Sequence, residues 1–247
     1  MLTGFWKLTW VETKIFLREP MGVFGTLGIP VLLFIVMGKI VASESGGSAV
    51  PAGAPFNVAI LGALIIAVSA VQSLVAIIAI YREGGILKRL RATPLSPVTI
   101  LSAQVFLKLV LTVVGLALLV LAGRRVLPGA LEVPLPSFTV ALLLGTASIL
   151  CVGFIIASLV PTARFAQPLS AALLYPMVVL SGLFFPIAAL PPALRAVVYA
   201  LPTTHAVALM QGIWDGQGWI ALSGEVLALA AIAAVSLLIS SRVFRWE

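Results

Sequence analysis

From Val58 to Ile80 the chain carries no charged side chain, and only Ser69, Gln72 and Ser73 interrupt an otherwise apolar run. About 20 apolar residues form a helix as long as the hydrocarbon of a bilayer is thick, and within lipid a helix satisfies all of its own backbone hydrogen bonds. The stretch therefore predicts a membrane-spanning helix.

The pattern recurs along the chain. Comparable runs cover Met21 to Ala42 with Pro30 as a central kink, the helix that starts at Pro97 and ends before Gly123-Arg124-Arg125, Phe138 to Val160, Leu169 to Phe185, and Trp219 to Ile239. With 62% hydrophobic and 9% charged residues in 247, against about a quarter charged in soluble domains, the expectation is an all-α membrane protein. Six spans fill residues 1–247 as one transmembrane domain, with no separate soluble domain and no cleaved signal peptide.

Three segments do not read as spans. Residues 1–19 form an amphipathic helix in which Lys7, Lys14 and Arg18 fall within about 40° of one another. Phe5, Trp6, Leu8, Trp10, Ile15, Phe16 and Leu17 cover most of the rest. Such a helix lies in the membrane interface, with its basic residues toward anionic headgroups and its tryptophans at headgroup depth.

Residues 82–96 hold the densest charge. On a helical wheel Ile86, Leu87 and Leu90 take one side and Lys88, Arg89 and Arg91 the other, between Gly84-Gly85 and Thr93-Pro94. Proline cannot continue a helix, while Ser96 and Pro97 suit the cap and first position of a new one. The expected result is a short surface helix held between two spans by tight bends.

Residues 187–218 contain Pro191-Pro192 and Pro202-Thr203-Thr204 before two short apolar segments. Neither is long enough to cross, so both are expected as half-helices packed on protein at the outer side.

Lys108 sits about 16 Å along the helix from Pro97. It either reaches back to the headgroups or faces a wet interior as a functional cation, since a charge within a bilayer is costly and tends to have a purpose. Both readings stand at this level.

Orientation follows from the basic residues. With both termini and the Tyr81 loop in the cytoplasm, ten basic residues lie inside and four outside, leaving Lys108 aside, as the positive-inside rule favours. The net charge of +7 is spread over helix ends rather than one face, which points to the lipid membrane and not to nucleic acid.

Chemistry within the chain finds little support. His205 is the only histidine and Cys151 the only cysteine, which excludes multi-histidine metal sites and intrachain disulfides. No GxxxxGK[ST] phosphate loop occurs, so no ATP site of that type is present and no cofactor is expected in this chain. Of the acids, only Glu225 falls within a predicted span, which weakens an ion-driven carrier. An ATP-independent channel or secondary carrier is the alternative from a different class.

Leu17-Arg18-Glu19-Pro20, Tyr81-Arg82-Glu83-Gly84-Gly85 with Leu87 to Ser96, and Ser181-Gly182-Leu183-Phe184-Phe185-Pro186 followed by Leu201-Pro202-Thr203-Thr204-His205 resemble the ABC-2 type membrane subunits of ABC transporters. Drug-efflux permeases of the daunorubicin-resistance type are among them. The resemblance covers essentially the whole chain; Gly85 departs from it, standing where many relatives carry a polar residue.

The resemblance implies a plasma-membrane half-transporter that pairs with an identical or paralogous membrane subunit and with two ATP-binding subunits, which hold the ATP and Mg. In it, residues 1–19 become the connecting helix. Arg82, Glu83, Gly84, Ile86, Leu87, Lys88, Arg89, Leu90 and Arg91 form the coupling helix that docks on the ATPase, and Phe184, Phe185, Thr203, Thr204 and His205 form an outer gate. The expected cargo is a hydrophobic drug or lipid moved outward, as in multidrug efflux, with a lipid-linked glycan as the alternative.

Overall fold

The computed structural model describes residues 2–44, 57–86, 97–126, 134–160 and 162–243. Among these every regular element is helical: α1 (Leu2–Arg18), α2 (Pro20–Val23), a π turn (Phe24–Gly28), α3 (Ile29–Glu44), α4 (Val58–Glu83), α5 (Pro97–Val126), α6 (Leu135–Leu159), α7 (Ala163–Val179), a 3-10 turn (Ile187–Ala189), α8 (Pro192–Val198), α9 (Pro202–Trp214) and α10 (Ser223–Val243).

Among the described residues five stretches are long and apolar enough to span a membrane: Pro20–Ile40, Val58–Glu83, Thr99–Arg125, Leu135–Leu159 and Ser223–Arg242. A sixth results if α8 and α9, bent by 78°, count as one broken span. At 17 residues, α7 is shorter than the roughly 20 that a straight crossing needs.

Two helices form the centre. α4 packs on α3, α5, α6 and α7, and α6 packs on α4, α9 and α10. Ile60, Leu64, Leu74, Leu142, Ile149, Leu174 and Leu209 are fully buried where these helices meet. The outer helices instead present apolar side chains outward, as at Leu121, Leu227 and Leu238, which is the arrangement expected where lipid is the solvent.

Close approach depends on small residues. A Cβ on Gly153 would stand 2.7 Å from Val71 Cγ1, and one on Gly145 would stand 2.7 Å from Ala206 Cβ. Glycine thus sets the spacing of α6 against both α4 and α9, in keeping with small-residue packing between membrane helices.

Several boundaries differ from the hydropathy reading. α4 runs past Ile80 through Tyr81, Arg82 and Glu83 because all three polar side chains find partners within the protein. α7 begins at Ala163, within the stretch that Pro161 and Pro168 suggested as a turn, and ends at Val179 rather than Phe185. Leu180 caps it, and two residues later Gly182 takes φ +86°, a conformation open to glycine that keeps the helix from resuming. α5 continues through Gly123, Arg124 and Arg125, and α10 starts at Ser223, four residues after Trp219.

The disturbance in the first span lies just before Pro30. The Ile29 amide donates to the Phe24 carbonyl, widening the turn to five residues. Proline removes one donor and crowds the carbonyl four residues back, and a π turn relieves both.

Candidate functional site

A cavity of about 610 Å³ follows α4. Its lining on that helix runs from Leu61 to Ile80, a rise of about 28 Å, close to the thickness of a bilayer core. α1, the α2–α3 span, α5 and α7 wall it on the other sides, together with Phe184. Its rim includes exposed Met21, Leu33, Tyr175 and Val179.

One end of this groove is apolar, with Leu33, Met37, Leu61, Ile65 and Phe184. The other gathers Glu12, Glu19, Gln72, Ser73, Gln104 and Lys108. Lys108 is 3% exposed; its Nζ donates to Ser73 Oγ at 2.7 Å and lies 5.4 Å from the centre of the Phe16 ring. The side chain therefore points into the bundle, not along the helix toward headgroups.

Among the described residues no carboxylate stands within 4.0 Å of that ammonium. A lysine at the centre of a spanning helix costs on the order of 3 kcal/mol, and one neutral hydroxyl offsets only part of that. One turn before Lys108, the Gln104 amide nitrogen is buried and faces the Tyr81 hydroxyl without reaching full hydrogen-bond geometry.

Glu12 also lines the groove, and the sequence reading did not single it out. It is 5% exposed and accepts a hydrogen bond from the Tyr81 hydroxyl at 2.5 Å. The available signal was its position, about 140° around the helix from Lys7, which sets an acid among the apolar residues of α1. Lys7, Lys14 and Arg18 are exposed on the opposite side, with Lys14 over the Trp10 ring at 5.4 Å.

At the end of α4, Arg82 and Glu83 engage the connection between α6 and α7. Arg82 donates to the carbonyls of Ala157 and Val160 at the end of α6. Glu83 Oε2 accepts from the Ala163 amide at 2.7 Å, at the first residue of α7. A cation thus meets the carbonyl end of one helix and an anion the amide end of the next, the favourable sense for both helix dipoles. Gly84 caps α4, and Gly85 takes φ +65°.

Ile86 is half-buried just beyond. Leu87, Lys88, Arg89, Leu90 and Arg91, the remainder of the expected coupling helix, lie outside the described residues.

At the α8–α9 break, Thr203 Oγ1 donates to the Met177 carbonyl at 2.9 Å and Thr204 Oγ1 to the Val198 carbonyl at 2.7 Å. His205 Nε2 meets the Tyr199 carbonyl at 2.9 Å, and Nδ1 meets Glu225 Oε2 at 2.6 Å. These bonds tie α9 to α7, α8 and α10. Phe184 lines the groove, and the neighbouring Phe185 is 58% exposed.

A profile of the ABC-2 type transporter family matches residues 3–214. The chain belongs to that family. The match covers all of the groove-forming helices from α1 to α7 and the broken α8–α9 pair. The chain is also 28% identical over 166 residues to the inner membrane transport permease YhhJ of Escherichia coli (strain K12) and to the protein of the same description from Shigella flexneri. Each alignment covers 66% of this chain and 44% of the relative, so the chain spans less than half the length of the curated relatives it matches. Within this ABC-2 family chain, the described residues hold five helices, or six with the broken pair, that are long and apolar enough to span a membrane.

Proposed function

We propose that this chain is the membrane subunit of an ATP-driven exporter in the inner membrane, that it moves a hydrophobic or amphiphilic compound outward, and that it takes its power from separate ATP-binding subunits. The observation that carries the reading is the groove along α4, which is as long as the hydrocarbon is thick and open along one side. A second membrane subunit closes that side over Met21, Leu33, Tyr175 and Val179, so that two half-grooves form one pathway.

The power stroke enters after Glu83. ATP and Mg bound by the partner close it and displace the coupling segment, Ile86 to Arg91. α4 follows because Gly84 joins the segment directly to its last turn. α7 follows because Glu83 holds its first amide, and α6 because Arg82 holds its last carbonyls. Rigid elements joined by short connections transmit a displacement that a floppy loop would absorb. Both walls of the groove, α4 and α7, then move together, while the bonds of Thr203, Thr204 and His205 set the resistance of the exit.

Lys7, Lys14 and Arg18 hold α1 against anionic headgroups, so that the groove is pulled on from one end only. With both termini cytoplasmic, this basic face and the coupling segment share the ATP side.

Co-purification tests the assembly. Tagged chain expressed with a candidate ATP-binding subunit brings that subunit down in stoichiometric amount, and a Lys88→Glu, Arg91→Glu variant loses it. Equal recovery with both forms would remove the docking role from this segment.

A further inference from the structure

The polar end of the groove has a donor and charge pattern of its own. Lys108 carries three N–H donors, of which Ser73 takes one. The Gln104 amide nitrogen, 3% exposed on the same face of α5, lies beside the Tyr81 hydroxyl but outside full hydrogen-bond geometry, and it has two N–H donors, so at least one is unmet. Two buried groups with hydrogens to give therefore lie one helical turn apart on the wall of an open cavity. An acceptor-rich group in the groove is what would satisfy them.

The acids narrow the choice. Glu12 and Glu19 line the same end, and both are near enough to interact with Lys108 through space. Glu12 is buried and takes the Tyr81 hydroxyl, whereas Glu19 is exposed and forms no ion pair among the described residues. A simple anion would enter beside two carboxylates and one ammonium. A simple cation would sit beside Lys108 and leave the free donors unmet. A group with both charges meets both demands.

We infer that the Lys108–Gln104–Glu19 corner binds the headgroup of a zwitterionic amphiphile, a phosphate or carboxylate beside an amine, whose chain lies along Leu33, Met37, Leu61 and Ile65. This assignment names the substrate class of the exporter and rests on that reading. The acidic group accepts from Lys108 Nζ and Gln104 Nε2, and the amine pairs with Glu19. From Ser73 to Leu61 the groove continues for about 18 Å along α4, past Val68, Ile65 and Leu61, which is more than half of the roughly 30 Å hydrocarbon thickness and enough for one acyl chain.

The test is binding to the purified full chain in a neutral maltoside detergent. The probes share one tail-labelled dansyl chain and differ in the head: lysophosphatidylethanolamine, lysophosphatidylglycerol and an alkyltrimethylammonium. The zwitterion binds about tenfold more tightly than either of the others, as one additional hydrogen-bonded charge contact provides. Lys108→Gln removes that preference. Glu19→Gln, at an exposed position that folding does not depend on, strengthens the phosphatidylglycerol probe and weakens the zwitterion.

Equal affinities for the three heads, or an unchanged ranking in Glu19→Gln, would overturn the assignment even if Lys108→Gln fails to fold. Free phosphoethanolamine separates the two sources of this chemistry: no competition at equal concentration supports the amphiphile, and full competition overturns it in favour of the headgroup alone. Binding is read without any ATP-binding subunit. Selective binding without ATP-driven transport would therefore reject the exporter and keep the site, and ATP-driven transport without headgroup preference would do the reverse.

Discussion

Glu83 accepts a hydrogen bond from the backbone amide of Ala163 at 2.7 Å, which joins the last residue of α4 to the first residue of α7. The two residues are 80 positions apart in the chain. The helices that wall the groove on two sides are in this way linked at one end, next to the segment that is proposed to receive the power stroke.

Glu83→Ala removes the acceptor and Glu83→Gln keeps one. In the assembled complex, Glu83→Ala retains basal ATP hydrolysis but loses most substrate stimulation, and Glu83→Gln keeps it. Substrate-stimulated phosphate release with both variants is the measurement. Equal stimulation in the two would show that this link carries no movement.

Arg82 has a larger structural share, because its guanidinium serves the carbonyls of Ala157 and Val160. Hydrogen bonds from a charged donor contribute about 1.5–3 kcal/mol when buried, and Arg82 is half-buried, so about 1 kcal/mol is expected. Arg82→Ala should lower the midpoint of thermal unfolding in detergent by a few degrees, and Arg82→Lys should recover part of it.

Gly153 tests the packing of the two central helices. A Cβ there meets Val71 Cγ1 at 2.7 Å, and overpacking of this kind costs about 1–3 kcal/mol. Gly153→Val reduces the folded yield in size-exclusion chromatography, and Val71→Ala in the same chain restores it.

His205 and Glu225 join α9 to the first turn of α10. His205→Gln and Glu225→Gln each destabilise the protein, and the double variant costs less than their sum by about 1 kcal/mol. Unfolding midpoints of the four chains close the cycle. Additive effects would mean that the contact contributes nothing.

The sequence revealed the spans more readily than the groove. Hydropathy located α4 and α6 well because an uncharged run has no alternative in lipid; the structure adds a cap that hydropathy does not show, Asn57, whose Oδ1 accepts from the Ala59 and Ile60 amides. Pro97 stands at the first residue of α5, as expected. Charge was misleading at the ends. Tyr81, Arg82 and Glu83 read as the start of a loop, yet their partners Glu12, Val160 and Ala163 are distant in sequence and make helix the better state.

The site was harder to read for the same reason. Lys108 was visible as an anomaly, but its direction depends on Ser73, 35 residues away on another helix. Glu12 was hidden by the basic stripe of α1, whose three cations drew attention to the solvent side. A wheel gives the azimuth of a residue on its own helix and not which neighbour it meets.

The central claim is that the chain is driven from outside itself. It is tested most directly by transport in proteoliposomes containing the purified chain, with and without an ATP-binding subunit, using a tail-labelled lysophospholipid as cargo. The account predicts accumulation only when the subunit, ATP and Mg are all present. Uptake by the chain alone, driven by a proton or sodium gradient and indifferent to ATP, would contradict it.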